Sequence, residues 1–166
     1  MVNTWVFADA MVPQQLITDT STTAYYPLGT RKKAFHATYG EGDFVYLKGV
    51  ASTVVGSWAT INYDDGSTAL LAANAIGPVG IAMSINVASQ YGWYQIAGKA
   101  VGLALASYAD NGLVFATATA GSVDDAVVDG DMVHLAKGAS AVDTPSTGLA
   151  EFEIQYPYTD DITTND

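Results

Sequence analysis

The chain has no cysteine, few charged residues and very few bases. Its 166 residues include only two histidines and six lysines and arginines, against 17 aspartates and glutamates, and only 14% of them are charged. The absence of cysteine excludes disulfides, thiolate metal sites and thiol nucleophiles. The scarcity of bases argues against nucleic acid and anionic membrane surfaces as partners, because both are bound through lysine and arginine.

Long apolar runs are also lacking. No run reaches the ~18 residues that a membrane-spanning helix needs. The first eleven residues, MVNTWVFADAM, have neither a basic start nor a sustained apolar core, so they do not resemble a secretory signal. We therefore expect a soluble protein that is made in a cytoplasm.

Short alternating runs between turn residues are abundant. Apolar residues make up 49% of the chain, with 16 glycines and ten tyrosines among its residues. Residues 44–48, 58–63 and 151–156 read as strands, and Asp65-Gly66 reads as a hairpin turn. The pattern predicts an all-β fold, a small β-barrel or β-tulip body over roughly residues 41–160, with no helix longer than about two turns.

The chain divides into two unlike parts near residue 40. Residues 1–40 hold two acids and three bases, whereas residues 41–166 hold fifteen acids and three bases. The first part also has no sustained apolar period. The contrast predicts an extended N-terminal arm over 1–40 and a β-barrel body over 41–166 that ends in a short acidic tail. The arm either lies on a partner or packs on its own body, and the sequence leaves both open.

One segment of the body is echoed later in the chain. Residues 42–49 read GDFVYLKG, and residues 130–138 read GDMVHLAKG with one inserted alanine. Both predict a Gly-Asp turn that enters an alternating strand, with Val45 and Leu47 on one face, and Val133 and Leu135 likewise on one face. Two copies suit a small barrel and are too few for a solenoid. Chance similarity is the alternative.

The residues that most often carry catalysis are sparse. In the echo His134 takes the place of Tyr46, which favours a half-exposed strand position, and His36 has no motif around it. The chain lacks G-x-S-x-G, the phosphate-binding Walker loop and the dinucleotide G-x-G-x-x-G. A pair of carboxylates brought together from distant strands is not excluded by such a pattern. We expect no enzyme activity, no catalytic residue and no cofactor.

The acidic loop 124–131 raises the question of calcium. Asp124, Asp125, Asp129 and Asp131 supply the hard oxygen ligands that calcium prefers. Their spacing does not fit a helix-loop-helix calcium loop, and aspartate is also common in turns for its local hydrogen bonds. We therefore predict no metal site and leave calcium at this loop as the alternative.

Aromatic residues cluster in the middle of the chain. Trp58, Tyr91, Trp93 and Tyr94 are predicted to fill the core and an interface between identical subunits. The alternative is a row of exposed rings that stack on sugar, as in a receptor- or carbohydrate-binding β module of a phage fibre or spike.

Several segments resemble small structural proteins of tailed bacteriophages. These segments are 26–30, 39–50, 55–58, 72–82, 91–100 and 146–151. Together they span most of residues 26–160 and are similar to the capsid decoration (cement) and head structural proteins. The resemblance implies a non-enzymatic protein, often a homotrimer, that binds the major capsid protein on the outside of an HK97-like head and stabilises it. It implies a location on the virion exterior.

Residues 1–33 of the arm are the predicted capsid-binding segment, although residues 1–25 lie outside the resemblance. Trp5 and Phe7 are the predicted apolar anchors on the capsid. Arg31, Lys32 and Lys33 are three of only six bases in the chain. Their mutual repulsion predicts a negative partner, which is either the shell or this protein's own acidic body.

Overall fold

The computed structural model describes residues 4–9 and 12–163, and within these ranges it contains strands and no helix. The strands are β1 Val6–Phe7, β2 Arg31–His36, β3 Gly40–Lys48, β4 Trp58–Asn62, β5 Ser67–Leu70, β6 Gly77–Ala82, β7 Tyr91–Leu103, β8 Phe115–Ala116, β9 Val123–Asp124, β10 His134–Gly138 and β11 Leu149–Thr159. The predicted all-β fold is confirmed. No helix that could cross a membrane is present in the described part of the chain.

One antiparallel sheet of nine strands curls strongly into a half-barrel. Its order is β1-β2-β3-β7-β11-β6-β4-β5, with β10 paired to β11 and β6 paired also to β7. β8 and β9 form a separate two-stranded sheet. At the end of β3 the amide of Lys48 donates to the carbonyl of Gly66 at 2.9 Å, which brings the β4–β5 turn towards β3. The predicted small barrel-like body is therefore confirmed.

The β4–β5 hairpin closes at the Asp-Gly pair that the sequence marks as a turn. The Gly66 amide donates to the Asn62 carbonyl at 2.8 Å, and the Ser67 amide donates to Oδ1 of Asp65 at 2.9 Å. Gly66 has a φ of +70°, a conformation in which glycine avoids the strain that a Cβ would cause. The local chemistry of the turn thus sets the register of the hairpin.

The longest strand, β7, runs through the centre of the sheet. Its first half pairs with β3 and its second half pairs with β11. Gly98 lies between the two halves with a φ of +100°, and a Cβ there would overlap the carbonyl oxygen of Glu41. The glycine therefore permits the bend and the close strand approach that join the two parts of the sheet.

Apolar side chains collect in three clusters. One of them is built from β3, β4, β6 and β7 and consists of Val45, Leu47, Ala59, Ile61, Ala82, Tyr94 and Ile96. A second cluster lies around Trp58 and Phe152 and extends to Tyr108 and Val133. The third, called here the arm cluster, consists of Trp5, Phe7, Ile17, Ala34, Phe44, Tyr46 and Trp93. β3 contributes to the first and third clusters from its opposite faces, so both of its faces are buried.

The two echoed segments do not form equivalent strands. Val45 and Leu47 are both buried in β3 as predicted, and Val133 is buried too, but Leu135 is 59% exposed. The prediction that Val133 and Leu135 share one face is wrong. The reason is a bulge: the pairing of β10 with β11 shifts register between His134 and Ala136, and Leu135 has a φ of +59°. An extra residue re-aims the side chain in this way.

The described part of the predicted arm packs on its own body. β2 lies within residues 1–40, yet it pairs with β3 along its whole length, and β1 adds to the outer edge of β2. Ser21 also exchanges backbone hydrogen bonds with Tyr91 at 3.1 and 2.8 Å. Contact of the same segment with a capsid stays a prediction. The last three residues of the predicted acidic tail lie outside the described residues.

Candidate interaction surface

The first strand turns its side chains alternately inwards and outwards. Trp5 and Phe7 are buried in the arm cluster, whereas Val6 between them is exposed. The Trp5 ring packs edge-on against Phe44 with centroids 4.8 Å apart, and the Phe7 ring packs against Trp93 at 5.4 Å. The two predicted capsid anchors therefore contact the chain's own core in this structure. To reach a capsid they would have to leave that core.

A buried glutamine fastens the arm to the body. Nε2 of Gln15 donates to the carbonyl oxygens of Asp19 and Tyr91 at 2.9 and 2.8 Å. The hydroxyl of Tyr46 donates to Oε1 of Gln15 at 2.6 Å. Gln15 is buried, and the two ends of its side-chain amide form the hydrogen bonds that water would otherwise make with groups on the arm, on β3 and on β7. The arm cluster is thus closed by hydrogen bonds as well as by apolar contacts.

The three adjacent bases have different surroundings. Lys32 pairs with Asp9, and its Nζ lies 5.3 Å from the centre of the Phe7 ring. Lys33 pairs with Glu41 at 2.9 Å and with Asp43 at 2.8 Å. Arg31 differs, because within residues 4–9 and 12–163 no carboxylate pairs with it. Acidic side chains of the same chain therefore form ion pairs with two of the three bases.

Arg31, the chain's only arginine, lies between two tyrosines. The centre of its guanidinium is 5.3 Å from the ring centre of Tyr63 and 5.9 Å from that of Tyr156. Both distances fall within the range of cation–π attraction. The rings hold the guanidinium in place without using its N–H donors.

Asp43 connects this group to the ion pairs on β2. It accepts hydrogen bonds from Nζ of Lys33 and from the hydroxyl of Tyr156. Partial burial opposes ionisation of Asp43, but the hydrogen bonds from Lys33 and Tyr156 outweigh it and hold the pKa of Asp43 below its ordinary value. The hydrogen bond to Asp43 raises the pKa of Tyr156, and the hydrogen bonds to Asp43 and Glu41 raise the pKa of Lys33. The cluster is therefore charged and internally paired at neutral pH.

The four residues predicted at a subunit interface lie mostly in the core. Trp58, Trp93 and Tyr94 have no exposed surface, and Trp58 packs edge-on against Phe152 at 4.9 Å. Tyr91 alone among the four is partly exposed. Three of the four rings therefore lie in the core of this structure. A direct contact with another subunit stays a prediction, and Tyr91 is the residue with surface to provide it.

Both histidines have structural partners. The amides of Thr38 and Tyr39 donate to Nδ1 of His36 at 3.1 and 3.3 Å, which closes the β2–β3 turn. Nε2 of His134 lies 3.3 Å from a carboxylate oxygen of Asp160, and its ring stacks on Tyr158 with centroids 4.8 Å apart. These contacts explain both side chains without catalysis, and the absence of enzyme activity stays a prediction.

The acidic loop uses its carboxylates in hydrogen bonds within the chain. Asp125 accepts a hydrogen bond from the amide of Ala109 at 3.0 Å, and Asp131 accepts one from the amide of Asn74, so both acids hold distant segments of the chain. Asp124 instead has a local contact of the kind that the sequence predicts, from the amide of Asp125 at 2.9 Å. Across the described ranges no three His, Asp or Glu side chains come close enough to hold a metal ion.

A polar cleft lies between the arm and the body. Its volume is about 570 Å³, and its lining includes the residues Gln14, Thr18, Ser21, Tyr25 and Ser84. The lining combines these amide and hydroxyl groups and the exposed ring of Tyr25 with the carboxylate of Asp19 and the exposed apolar side chains of Val55 and Ile85. Such a mixed lining suits a ligand that has both hydrogen-bonding groups and apolar surface.

Sequence reasoning missed the side of β2 that faces away from the arm cluster. We call it the β2 outer face and define it by Val6, Arg31, Lys33, Phe35, Tyr63 and Tyr156. Alternation along a strand at 31–36 would have separated Lys32 from Arg31, Lys33 and Phe35. The prediction of an arm without a period over residues 1–40 leaves this alternation out. The two tyrosines come from distant parts of the chain, and only the fold brings them to Arg31.

Comparison of the chain with known proteins finds no relative. No family model, no curated protein and no solved structure matches the chain.

Proposed function

We propose that the chain is a capsid decoration protein, a homotrimer that binds the major capsid protein on the outside of an HK97-like phage head and stabilises the shell without catalysis. The observation that supports it is the position of the segments that resemble the decoration class. Segment 39–50 forms β3, segment 72–82 leads through β6, and segment 91–100 forms most of β7. The resemblance thus lies in the strands that build the half-barrel.

The distribution of charge is consistent with this role. The chain carries a net charge of −11, and among the described residues three of its six bases are paired with its own acids. An acidic body exposed to solvent keeps a densely decorated particle soluble. A trimer on a repeating lattice also multiplies weak contacts, so each subunit needs only a modest contact surface.

The proposal is tested by adding the purified chain to undecorated heads of the phage that encodes it. We expect the chain to sediment with the heads at a fixed ratio and to raise the temperature at which the heads release DNA or fall apart. Heads mixed with bovine serum albumin serve as the control. A chain that stays in the supernatant at micromolar concentration contradicts the proposal.

The trimer is tested separately by light scattering of the purified chain. We expect a mass three times the 17.3 kDa of one chain. A stable monomer at micromolar concentration contradicts the trimer but leaves capsid binding to be decided by the sedimentation experiment.

A second candidate function is a carbohydrate-binding module of a phage fibre or spike, and the polar cleft is the observation that favours it. Tyr25 supplies a ring on which a sugar can stack, and Gln14 and Ser21 supply hydrogen-bonding groups. Screening of the chain against host surface glycans distinguishes the two candidates. Glycan binding that Tyr25→Ala abolishes, together with no binding to heads, favours the module.

A further inference from the structure

The β2 outer face carries a pair of exposed apolar side chains. Val6 and Phe35 are directly opposite each other in the β1–β2 ladder, and they are 59% and 51% exposed. Neighbouring side chains on one face of a strand pair interact, so the two form one apolar patch. Contiguous apolar groups left in water mark interaction sites more often than isolated ones do.

Tyrosines and an arginine continue this patch along the strand. Arg31, Lys33 and Phe35 alternate on one side of β2, so the row is about 13 Å long at ~3.3 Å per residue. Tyr63 and Tyr156 are exposed beside Arg31. Tyrosine, phenylalanine and arginine are the residues that interface centres favour and that contribute most to binding.

The guanidinium of Arg31 keeps N–H donors that no ion pair among the described residues uses. Lys33 is paired with both Glu41 and Asp43, and the charge of Asp43 also attracts Arg31, so the two bases and two acids of this group balance. The two rings beside Arg31 restrain its guanidinium. Less conformational freedom is therefore lost when a ligand binds Arg31 than when one binds a free lysine.

We propose that the β2 outer face is the docking surface of this protein, and that it fits a protein surface presenting a carboxylate to Arg31 and an apolar recess to Phe35 and Val6. The inference rests on the proposed function, in which that surface belongs to the shell. A carboxylate matches the planar fork of guanidinium donors and pairs with it through two parallel hydrogen bonds. Trp5 and Phe7, which the sequence favoured as anchors, instead hold β1 in place so that Val6 faces outwards.

Charge disfavours nucleic acid at this face. A nucleic acid would meet a chain of net charge −11, and the bases Arg31 and Lys33 are matched in number by the acids Glu41 and Asp43. A carboxylate on another protein can accept the N–H donors of Arg31 that no ion pair among the described residues uses.

The test measures binding of four full-length variants to the same undecorated heads by co-sedimentation. We expect Arg31→Gln and Phe35→Ser each to weaken binding by about tenfold or more, and Arg31→Lys to weaken it less, because lysine keeps the charge and loses the fork. Lys137→Gln is the matched control, since it also removes one exposed positive charge, on β10. We expect it to change binding by less than about twofold.

The outcomes separate the inference from the proposed function. Wild-type chain that fails to bind heads overturns both. Wild-type chain that binds, together with Arg31→Gln and Phe35→Ser variants that bind equally well, overturns the docking face alone. Circular dichroism shows whether each variant folds, and light scattering shows its oligomeric state. A folded variant that has lost the trimer places the face at the subunit interface, which also contradicts the inference.

Discussion

The two sides of the β1–β2 edge differ in how far their apolar side chains are buried and in whether their bases form ion pairs. On the inner side Trp5 and Phe7 are buried and Lys32 is paired with Asp9. On the outer side Val6 and Phe35 remain in water, and Arg31 has rings beside it but forms no ion pair among the described residues. The difference teaches that the two faces of one short edge need not have the same role. The inner side stabilises the fold, and the outer side is the docking surface that we propose.

The largest expected effect is on the inner side. Trp5→Ala removes a ring that packs against Phe44 and the side chain of His36, and we expect it to lower the free energy of unfolding by about 3 kcal/mol. Val6→Ala is the matched control on the outer side, with an expected change of no more than about 0.5 kcal/mol. Urea unfolding followed by tryptophan fluorescence and circular dichroism measures both. Unchanged stability of Trp5→Ala with loss of head binding would restore Trp5 as a capsid anchor.

The next effect concerns the hydrogen bonds that close the arm cluster. Gln15→Leu leaves the carbonyl of Tyr91 and the hydroxyl of Tyr46 without this buried partner, and we expect a loss of about 2 kcal/mol. The neighbouring Gln14→Leu is the control, because the side chain of Gln14 is exposed. Thermal unfolding of the two variants compares them. Equal melting temperatures of the two variants would show that the stability of the packed arm does not depend on the side-chain amide of Gln15.

Much of the fold followed from the sequence, because turns and alternation are local signals. The Asp65-Gly66 hairpin and the strand at 44–48 needed only neighbouring residues to be recognised. The strand at 31–36 was missed because three consecutive bases hid its period. The outward turn of Leu135 was missed because a bulge depends on how β10 pairs with β11.

The candidate surface was less predictable than the fold. The sequence indicates Arg31, Lys32 and Lys33 as a group, but only the structure shows that Lys32 and Lys33 form ion pairs and that Arg31 lies between two rings. Tyr156 lies more than a hundred residues from Asp43, to which it donates a hydrogen bond. Contacts of that range arise from sheet topology, which no local pattern encodes.

A smaller effect is expected from acid. Because the folded-state pKa of Asp43 lies below its ordinary value, Asp43 contributes stability that is present above about pH 4 and is lost as the pH falls through the folded pKa. Melting temperatures of wild type and Asp43→Asn should differ at pH 6 and converge towards pH 2. The partners are exposed to solvent, so we expect a difference below about 1 kcal/mol. A gap that widens on acidification would contradict the sign of this contribution.

The smallest expected change in stability is for Phe35→Ser. The ring is half exposed, and we expect the free energy of unfolding to change by less than about 0.5 kcal/mol. Phe44→Ser, at a fully buried ring in β3, is the contrasting variant and should unfold far more easily. Urea midpoints compare the two. A large loss with Phe35→Ser would mean that the outer side belongs to the fold after all.

The most direct measurement is a cryo-EM map of phage heads mixed with the purified chain, at a resolution that shows side chains. We predict half-barrels on the outer surface of the head, with Val6 and Phe35 against the shell and Arg31 beside a carboxylate of the major capsid protein. Bare heads, or half-barrels whose β2 outer face points to solvent, would contradict this prediction.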